Sequence, residues 1–161
     1  MMSWRIADAT DLTFADTAFD RVLCLEAMFH FSSRRKFFME AARVLKPGGV
    51  LAGTDILISP SARAADFPVD AVLQVGLGPW PDVWGADADH VALARDAGLS
   101  GEVADITTAV APSYRYTAPP DATPQDRHAP APARASAALR WLNDRGWLRY
   151  VSFRFERAGA R

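Results

Sequence analysis

Apolar and polar residues follow a strand–helix–strand pattern in residues 19–58. A continuous apolar run lies at residues 22–25, as is typical of a strand buried on both faces of a parallel sheet. Ser32-Ser33 can cap a helix that continues to about Lys46, and its apolar positions follow helical spacing: Phe37, Phe38, Ala41, Val44 and Leu45. Charged residues occupy mostly the opposite face: Arg34, Arg35, Lys36, Glu40 and Arg43.

The helix is followed by signals for a reversal and a second strand. Pro47 cannot continue a helix, and Gly48-Gly49 permit a tight turn before a buried strand at residues 50–58. Strand, helix, turn and strand together predict one βαβ unit, which should be right-handed.

Outside this unit the patterns are shorter. We predict further helices at residues 69–75, 87–97 and 133–145. We predict further strands at residues 4–7, 102–110 and 147–157. Asp87 would cap the second of these helices, and Gly98 would end it. The last strand alternates, with Val151, Phe153 and Phe155 on one face, which suits an edge or antiparallel strand.

The composition is that of one globular domain. The chain has 161 residues, of which 50% are hydrophobic, so we expect a single domain over residues 1–161 with one sizeable core. Six of the 11 prolines lie in residues 112–132, together with many alanines. This segment is expected to be an extended connector.

Charge and cysteine content exclude several classes of function. The net charge is −1, so no basic excess supports a nucleic-acid or anionic-membrane partner. Cys24 is the only cysteine, which rules out an internal disulfide and a cysteine-based zinc site. No signal peptide and no run of about 20 apolar residues is recognisable. We therefore expect a cytoplasmic protein that binds a small molecule or another protein.

Four polar side chains are predicted near the carboxyl ends of strands, where ligands bind in open α/β sheets. They are Asp8, Glu26, His30 and Asp55. Asp8 could instead stabilise a turn, Glu26 could mark where a strand reaches solvent, and His30 could be a half-buried structural histidine. Asp55 is harder to explain in this way, because a carboxylate near a buried strand end is costly unless it is paired or functional.

Several separated motifs resemble those of class I S-adenosylmethionine-dependent methyltransferases. Residues 6–20 (IADATDLTFADTAFD) are similar to the family's DA..LPF.D..FD stretch, and residues 21–30 (RVLCLEAMFH) and 42–49 (ARVLKPGG) follow in the family's order. Residues 105–114 and 150–157 look like later segments of the small-molecule branch, which includes sugar O-methyltransferases and sarcosine/dimethylglycine methyltransferases.

This resemblance implies an α/β fold with a partial Rossmann-like sheet, in which parallel strands are joined by an antiparallel C-terminal strand. It implies S-adenosyl-L-methionine as cofactor and transfer of its methyl group to a hydroxyl or an amine of a small metabolite. Asp8 would accept a hydrogen bond from the adenine amino group, and Ala9 would offer its backbone amide to the ring. Leu25 and Glu26 would lie beside the methionine part of the cofactor.

The resemblance also assigns two catalytic residues. His30 would lie near the acceptor as the candidate base, and Asp55 would orient or deprotonate the acceptor. Some sugar-modifying relatives have two adjacent histidines where this chain has Phe29-His30. The identity of the base therefore stays open at this point.

The family's glycine-rich loop, GxGxG, does not occur in this sequence. We therefore expect a chain that lacks the family's first two strands and has an incomplete cofactor pocket. One hypothesis is an enzyme completed by upstream sequence or by a partner chain. The alternative is an inactive half-domain that pairs with a partner chain, or with a second copy, through its exposed sheet edge.

Overall fold

The computed structural model describes residues 3–85 and 89–159. Its strands are β1 (Phe19–Cys24), β2 (Leu45–Ile58), β3 (Leu99–Asp105) and β4 (Leu148–Arg157). Its helices are α1 (Arg34–Val44), α2 (Val69–Leu77), α3 (His90–Asp96), α4 (Thr107–Val110), α5 (Tyr114–Thr117) and α6 (Ala131–Asp144). Single 3₁₀ turns lie at Met28–His30, Pro60–Ala64 and Ala111–Ser113. None of the described helices is long and apolar enough to cross a membrane.

The described strands form one sheet in the order β1-β2-β4-β3. β1 and β2 are parallel and flank α1, which confirms the predicted strand–helix–strand unit. β4 is antiparallel to both β2 and β3, so the antiparallel C-terminal strand is confirmed as well. The edge position suggested for this strand is wrong, because β3 pairs with the side of β4 that β2 leaves open. The α/β fold class predicted from the sequence is confirmed.

Two apolar cores lie on the two faces of the sheet, because successive residues of a strand point to opposite faces. Phe38 of α1 packs against Phe153 and Phe155 of β4 in one core, with ring centroids 6.1 and 5.7 Å apart. In the other core, Leu73 of α2 and Leu142 of α6 are fully buried. Helices therefore cover both faces of the sheet around β2 and β4.

Helix α1 begins as the sequence predicts, since the Ser33 hydroxyl accepts a hydrogen bond from the amide of Lys36 at 3.2 Å. The helix ends at Val44, and β2 starts immediately afterwards. The predicted reversal at Pro47 is a bulge within this strand. The register with β1 shifts there, and Gly48 adopts φ +74°.

The strand predicted at residues 4–7 does not form. Trp4 and Ile6 are 84% and 107% exposed, and the segment ends in an isolated bridge between Asp8 and Asp11. A strand requires a neighbour that accepts and donates its backbone hydrogen bonds. None of the described residues provides that neighbour.

The prediction that β1 is buried on both faces is also wrong. Cys24 is buried, but Leu23 and the following Leu25 are 71% and 61% exposed. The reason is position, because β1 is an edge strand of the described sheet. The apolar run therefore leaves a hydrophobic surface along this edge.

Two further predictions need correction. The strand predicted at residues 102–110 ends at Asp105, whose carboxylate accepts a hydrogen bond from the amide of Thr107 at 2.9 Å in the turn before α4. The helix predicted from Asp87 begins at His90, capped by Asp89, whose carboxylate accepts from the amide of Ala92 at 2.9 Å. Asp87 itself lies outside the described residues.

The proline-rich residues 112–132 are not extended throughout. They include α5, and the Tyr114 and Ala118 side chains are buried. From α6, the Arg140 guanidinium donates to the carbonyl oxygens of Pro119 (3.2 Å) and Ala122 (2.8 Å). Arginine side chains thus satisfy backbone acceptors that no regular element would satisfy.

Gly53 marks the closest approach of β1, β2 and β4. An added Cβ atom would overlap the carbonyl oxygen of Cys24 and lie 2.6 Å from the Phe153 ring. We expect Gly53→Ala to lower the free energy of unfolding by about 1–3 kcal/mol. Gly159→Ala is the matched control, because its added Cβ would meet no atom within 4 Å. Equal urea midpoints for the two variants would contradict this packing account.

Candidate functional site

Glu26 and Thr54 join the carboxyl ends of β1 and β2. The Glu26 amide donates to Thr54 Oγ1 at 3.4 Å, and the Thr54 hydroxyl donates to Glu26 Oε1 at 3.3 Å. Glu26 has φ +53°, a left-handed conformation that residues other than glycine rarely adopt. Desolvation raises the pKa of Glu26, although the hydrogen bond from Thr54 opposes that shift. Backbone strain of this kind is concentrated at functional sites.

His30 ends the 3₁₀ turn that follows this pair. Its Nδ1 atom lies 2.5 Å from the carbonyl oxygen of Pro79, and its ring packs on Phe29 with centroids 4.3 Å apart. A carbonyl oxygen only accepts hydrogen bonds, so Nδ1 carries the proton in this contact. In the neutral ring, Nε2 then has the lone pair, and Nε2 has no hydrogen-bond partner among the described residues.

Asp8 stabilises a turn, as its alternative interpretation proposed. Its Oδ1 accepts hydrogen bonds from the amide and the hydroxyl of Thr10, both at 2.8 Å, and these bonds lower its pKa. The Thr10 hydroxyl in turn lies 3.3 Å from that of Ser32. The turn at residues 8–10 therefore contacts Ser32, two residues after His30. Asp8 Oδ2 keeps its capacity to accept a further hydrogen bond.

A groove of about 480 Å³ runs along β1 and is mostly apolar. Ala9 and Leu25, two of the residues predicted to bind the cofactor, both line it, as do Ala27 and Phe31. The structure thus brings residues 8–10 and 25–32 together beside the end of β1, although residues 4–7 do not form a strand.

Asp55 lies in a different environment, in a buried network between α1, β2 and α3. It is 1% exposed, and its carboxylate accepts hydrogen bonds from Arg34 Nε (2.7 Å) and from His90 Nε2 (3.0 Å). Arg34 Nη1 also donates to Asp82 at 3.0 Å. Because neighbouring strand residues point to opposite faces, Asp55 lies on the face opposite Thr54 and its partner Glu26.

Arg34 is the residue that the sequence interpretation missed, since the helix pattern placed it on the exposed face. It is 3% exposed, because it begins α1 three and four residues before Phe37 and Phe38 and shares their buried face. Two signals in the sequence could have revealed the burial of Arg34. The first is its helical spacing to Phe37 and Phe38, and the second is that a buried Asp55 requires a cationic partner.

Two buried polar atoms have no hydrogen-bond partner among the described residues, the hydroxyl of Tyr114 and Nε1 of Trp80. Burial, together with the negative charge of Glu26, raises the pKa of Tyr114 to about 12. Trp80 packs on Phe29 with centroids 4.6 Å apart. Unsatisfied buried donors are costly, so each is a candidate contact for a bound molecule.

Cys24 is a buried, unreactive thiol. It is 4% exposed, and burial, reinforced by the charge of Asp55, raises its pKa to about 12. A thiol with such a pKa stays protonated near neutral pH, so it is not a nucleophile.

Comparisons with known proteins find methyltransferases among the similar sequences. A family model described as methyltransferase domain matches residues 2–53. The 27-O-demethylrifamycin SV methyltransferase of Amycolatopsis mediterranei is 37% identical over 113 residues, which are 70% of this chain and 41% of that protein. The erythromycin 3''-O-methyltransferase of Saccharopolyspora erythraea is 48% identical over 56 residues, 35% of this chain and 18% of that protein.

Solved structures show the same fold. Geranyl diphosphate C-methyltransferase from Streptomyces coelicolor A3(2), in complex with Mg²⁺, geranyl diphosphate and S-adenosyl-L-homocysteine, has a TM-score of 0.70 at 15% identity. The match covers 96% of this chain and 52% of that one. The match of residues 2–53, the named relatives and the shared fold all support the class I S-adenosylmethionine-dependent methyltransferase family that the sequence motifs resemble. The matched part of this chain spans less than half of the length of the rifamycin and erythromycin methyltransferases named above.

The buried network around Asp55 should matter far more to stability than an exposed ion pair on the same helix. Asp55→Asn leaves Arg34 buried without its main counter-charge, so we expect the free energy of unfolding to fall by about 3 kcal/mol. Asp96→Asn is the matched control, because it removes the exposed 2.7 Å pair with Arg35 and should cost less than about 1 kcal/mol. Urea unfolding measures both, and equal losses would show that the buried network is not special.

Proposed function

We propose that this chain carries the adenine side and the acceptor side of a methyltransferase site that methylates a hydroxyl group of a small metabolite. The observation that carries the proposal is the orientation of His30. Its Nδ1–H is held by the Pro79 carbonyl, so Nε2 can accept a proton. The names of the relatives favour oxygen over nitrogen as the methyl acceptor, since two of them contain O-methyltransferase or O-demethyl.

The described residues fit the adenine end of S-adenosylmethionine. Asp8 Oδ1 is occupied by Thr10, whereas Oδ2 can accept a hydrogen bond from an exocyclic amino group. Ala9 and Leu25 line one apolar groove, which is the chemistry that an aromatic ring requires. When bound, the cofactor supplies an electrophilic methyl group.

The chain's own residues would then orient the acceptor and take its proton. His30 Nε2 is the base, and a positioned general base contributes about 10²–10⁴-fold to the rate. The Tyr114 hydroxyl, which stays protonated because its pKa is raised to about 12, can donate to an oxygen of the acceptor. Asp55 would act on orientation through its partners, since Arg34 and His90 occupy its carboxylate.

A specific observation favours a second candidate, a protein-interaction module. The outer side of β1 is unpaired among the described residues, and Leu23 and Leu25 are exposed beside it. Unpaired apolar edges pair readily with other strands. A partner chain, or a second copy of this one, would add a strand to β1. Sedimentation velocity distinguishes the two candidates. An interaction module would form a dimer or a complex with its partner chain, and Leu23→Lys would weaken that association.

Binding of S-adenosylhomocysteine, followed by calorimetry, tests the adenine side. Asp8→Asn keeps Oδ1 for the turn but replaces Oδ2 with a donor. Losing a hydrogen bond to a charged group costs about 1.5–3 kcal/mol, so we expect roughly ten- to hundredfold weaker binding. Asp11→Asn is the control and should bind like wild type, because Asp11 contributes its backbone to the same turn. Equal affinities for the two variants would remove Asp8 from the cofactor site, and no binding by wild type would favour the interaction module.

A further inference from the structure

Residues 79–82 connect His30 to the buried ion-pair network. Pro79 accepts the hydrogen bond from His30 Nδ1, and the next residue, Trp80, is 1% exposed and packs on Phe29. Two residues further on, the Asp82 carboxylate accepts from Arg34 Nη1 at 3.0 Å. The peptide that orients His30 is therefore fixed at both ends.

The Arg34 side chain spans two parts of the fold. Its Nε donates to Asp55 on β2 at 2.7 Å, while Nη1 donates to Asp82 in the loop. Nη2 also lies 3.4 Å from the carbonyl oxygen of Ile56. A planar guanidinium has donors in fixed directions, so one arginine can hold a strand and a loop in a defined relation. A lysine ammonium cannot reproduce this fork.

We infer that Arg34 is a positioning residue for His30. By binding Asp55 and Asp82 at once, it holds the Pro79 carbonyl against Nδ1 and so keeps the neutral ring protonated on Nδ1, with Nε2 as the basic nitrogen. Free imidazole side chains favour the opposite tautomer, so the carbonyl must stay in place. The inference rests on the proposed function for its catalytic meaning, but the tautomer itself is a property of the chain alone.

The geometry also explains why an ion pair is used at this point. Arg34 and Asp55 are nearly inaccessible to water, whereas the Asp82 side chain is 26% exposed. The buried pair fixes the guanidinium on β2, and its Nη1 group then reaches the partly exposed Asp82 carboxylate in the loop. Replacing Asp82 therefore removes the ion pair that Arg34 makes with the loop while the Arg34–Asp55 pair stays intact, which makes Asp82 the safer position for a test.

The test is ¹⁵N NMR of the histidine side chains in the full chain without ligand. The His30 signals are assigned by their loss in His30→Gln, which separates them from those of His90 and His128. We expect wild-type His30 to be protonated on Nδ1 in its neutral form, and Asp82→Asn to shift the population toward the Nε2–H form. Asp96→Asn is the matched control, because it breaks the exposed Arg35 pair on the same helix and should leave the His30 signals unchanged.

An unchanged His30 tautomer in Asp82→Asn would overturn the inference, as would an equal shift in Asp96→Asn. Arg34→Lys provides a second variant, and it should reproduce the shift of Asp82→Asn if its circular dichroism shows that it folds. Failure of the proposed function is distinguishable, because a chain without methyltransferase activity could still show these tautomer changes. Conversely, if the chain is active but the His30 tautomer does not change in Asp82→Asn, the proposed function stands and the inference about Arg34 is wrong.

Discussion

The buried ion pair between Arg34 and Asp55 joins a helix to a central strand of the sheet. Arg34 begins α1, Asp55 lies within β2, and His90 brings α3 to the same carboxylate. Isolated charges at such depth would cost several kcal/mol each, so each partner requires the other. The loop containing Asp82 is joined to the same guanidinium. The start of a helix, a central strand and a loop are thereby held in one arrangement.

Strand β2 separates the buried network around Asp55 from the proposed site at Glu26 and His30. Asp55 points to the face that α1 and α3 cover, whereas the adjacent Thr54 bonds to Glu26 at the carboxyl end of β1. His30 lies one 3₁₀ turn after Glu26, so the proposed base, a residue with a strained backbone and an apolar groove are close along the chain. The network is thus placed to act on the site through the loop at Pro79. Asp55 itself is buried, and Arg34 and His90 occupy its carboxylate.

Local patterns in the sequence predict the elements that depend on local chemistry. The Ser33 cap and the apolar spacing of α1, the buried β2 and the alternation of β4 were all recoverable, as was the family from residues 6–56. Features that depend on which strands and side chains lie beside a residue could not be predicted from local patterns. The exposure of Leu23 and the missing strand at residues 4–7 follow from an edge that no local pattern reveals. For Arg34 the spacing to Phe37 and Phe38 was a local signal, but the counter-charge that permits its burial, Asp55, lies 21 residues away.

The most direct test of the proposed site is the rate of methyl transfer from labelled S-adenosylmethionine to a hydroxyl-bearing small molecule that the wild-type chain methylates. His30→Gln is compared with His128→Gln, which changes an exposed histidine. A catalytic base at His30 requires kcat to fall by about 10²–10⁴-fold with little change in KM, while His128→Gln keeps the wild-type rate. A His30→Gln variant with the wild-type kcat would contradict the assignment.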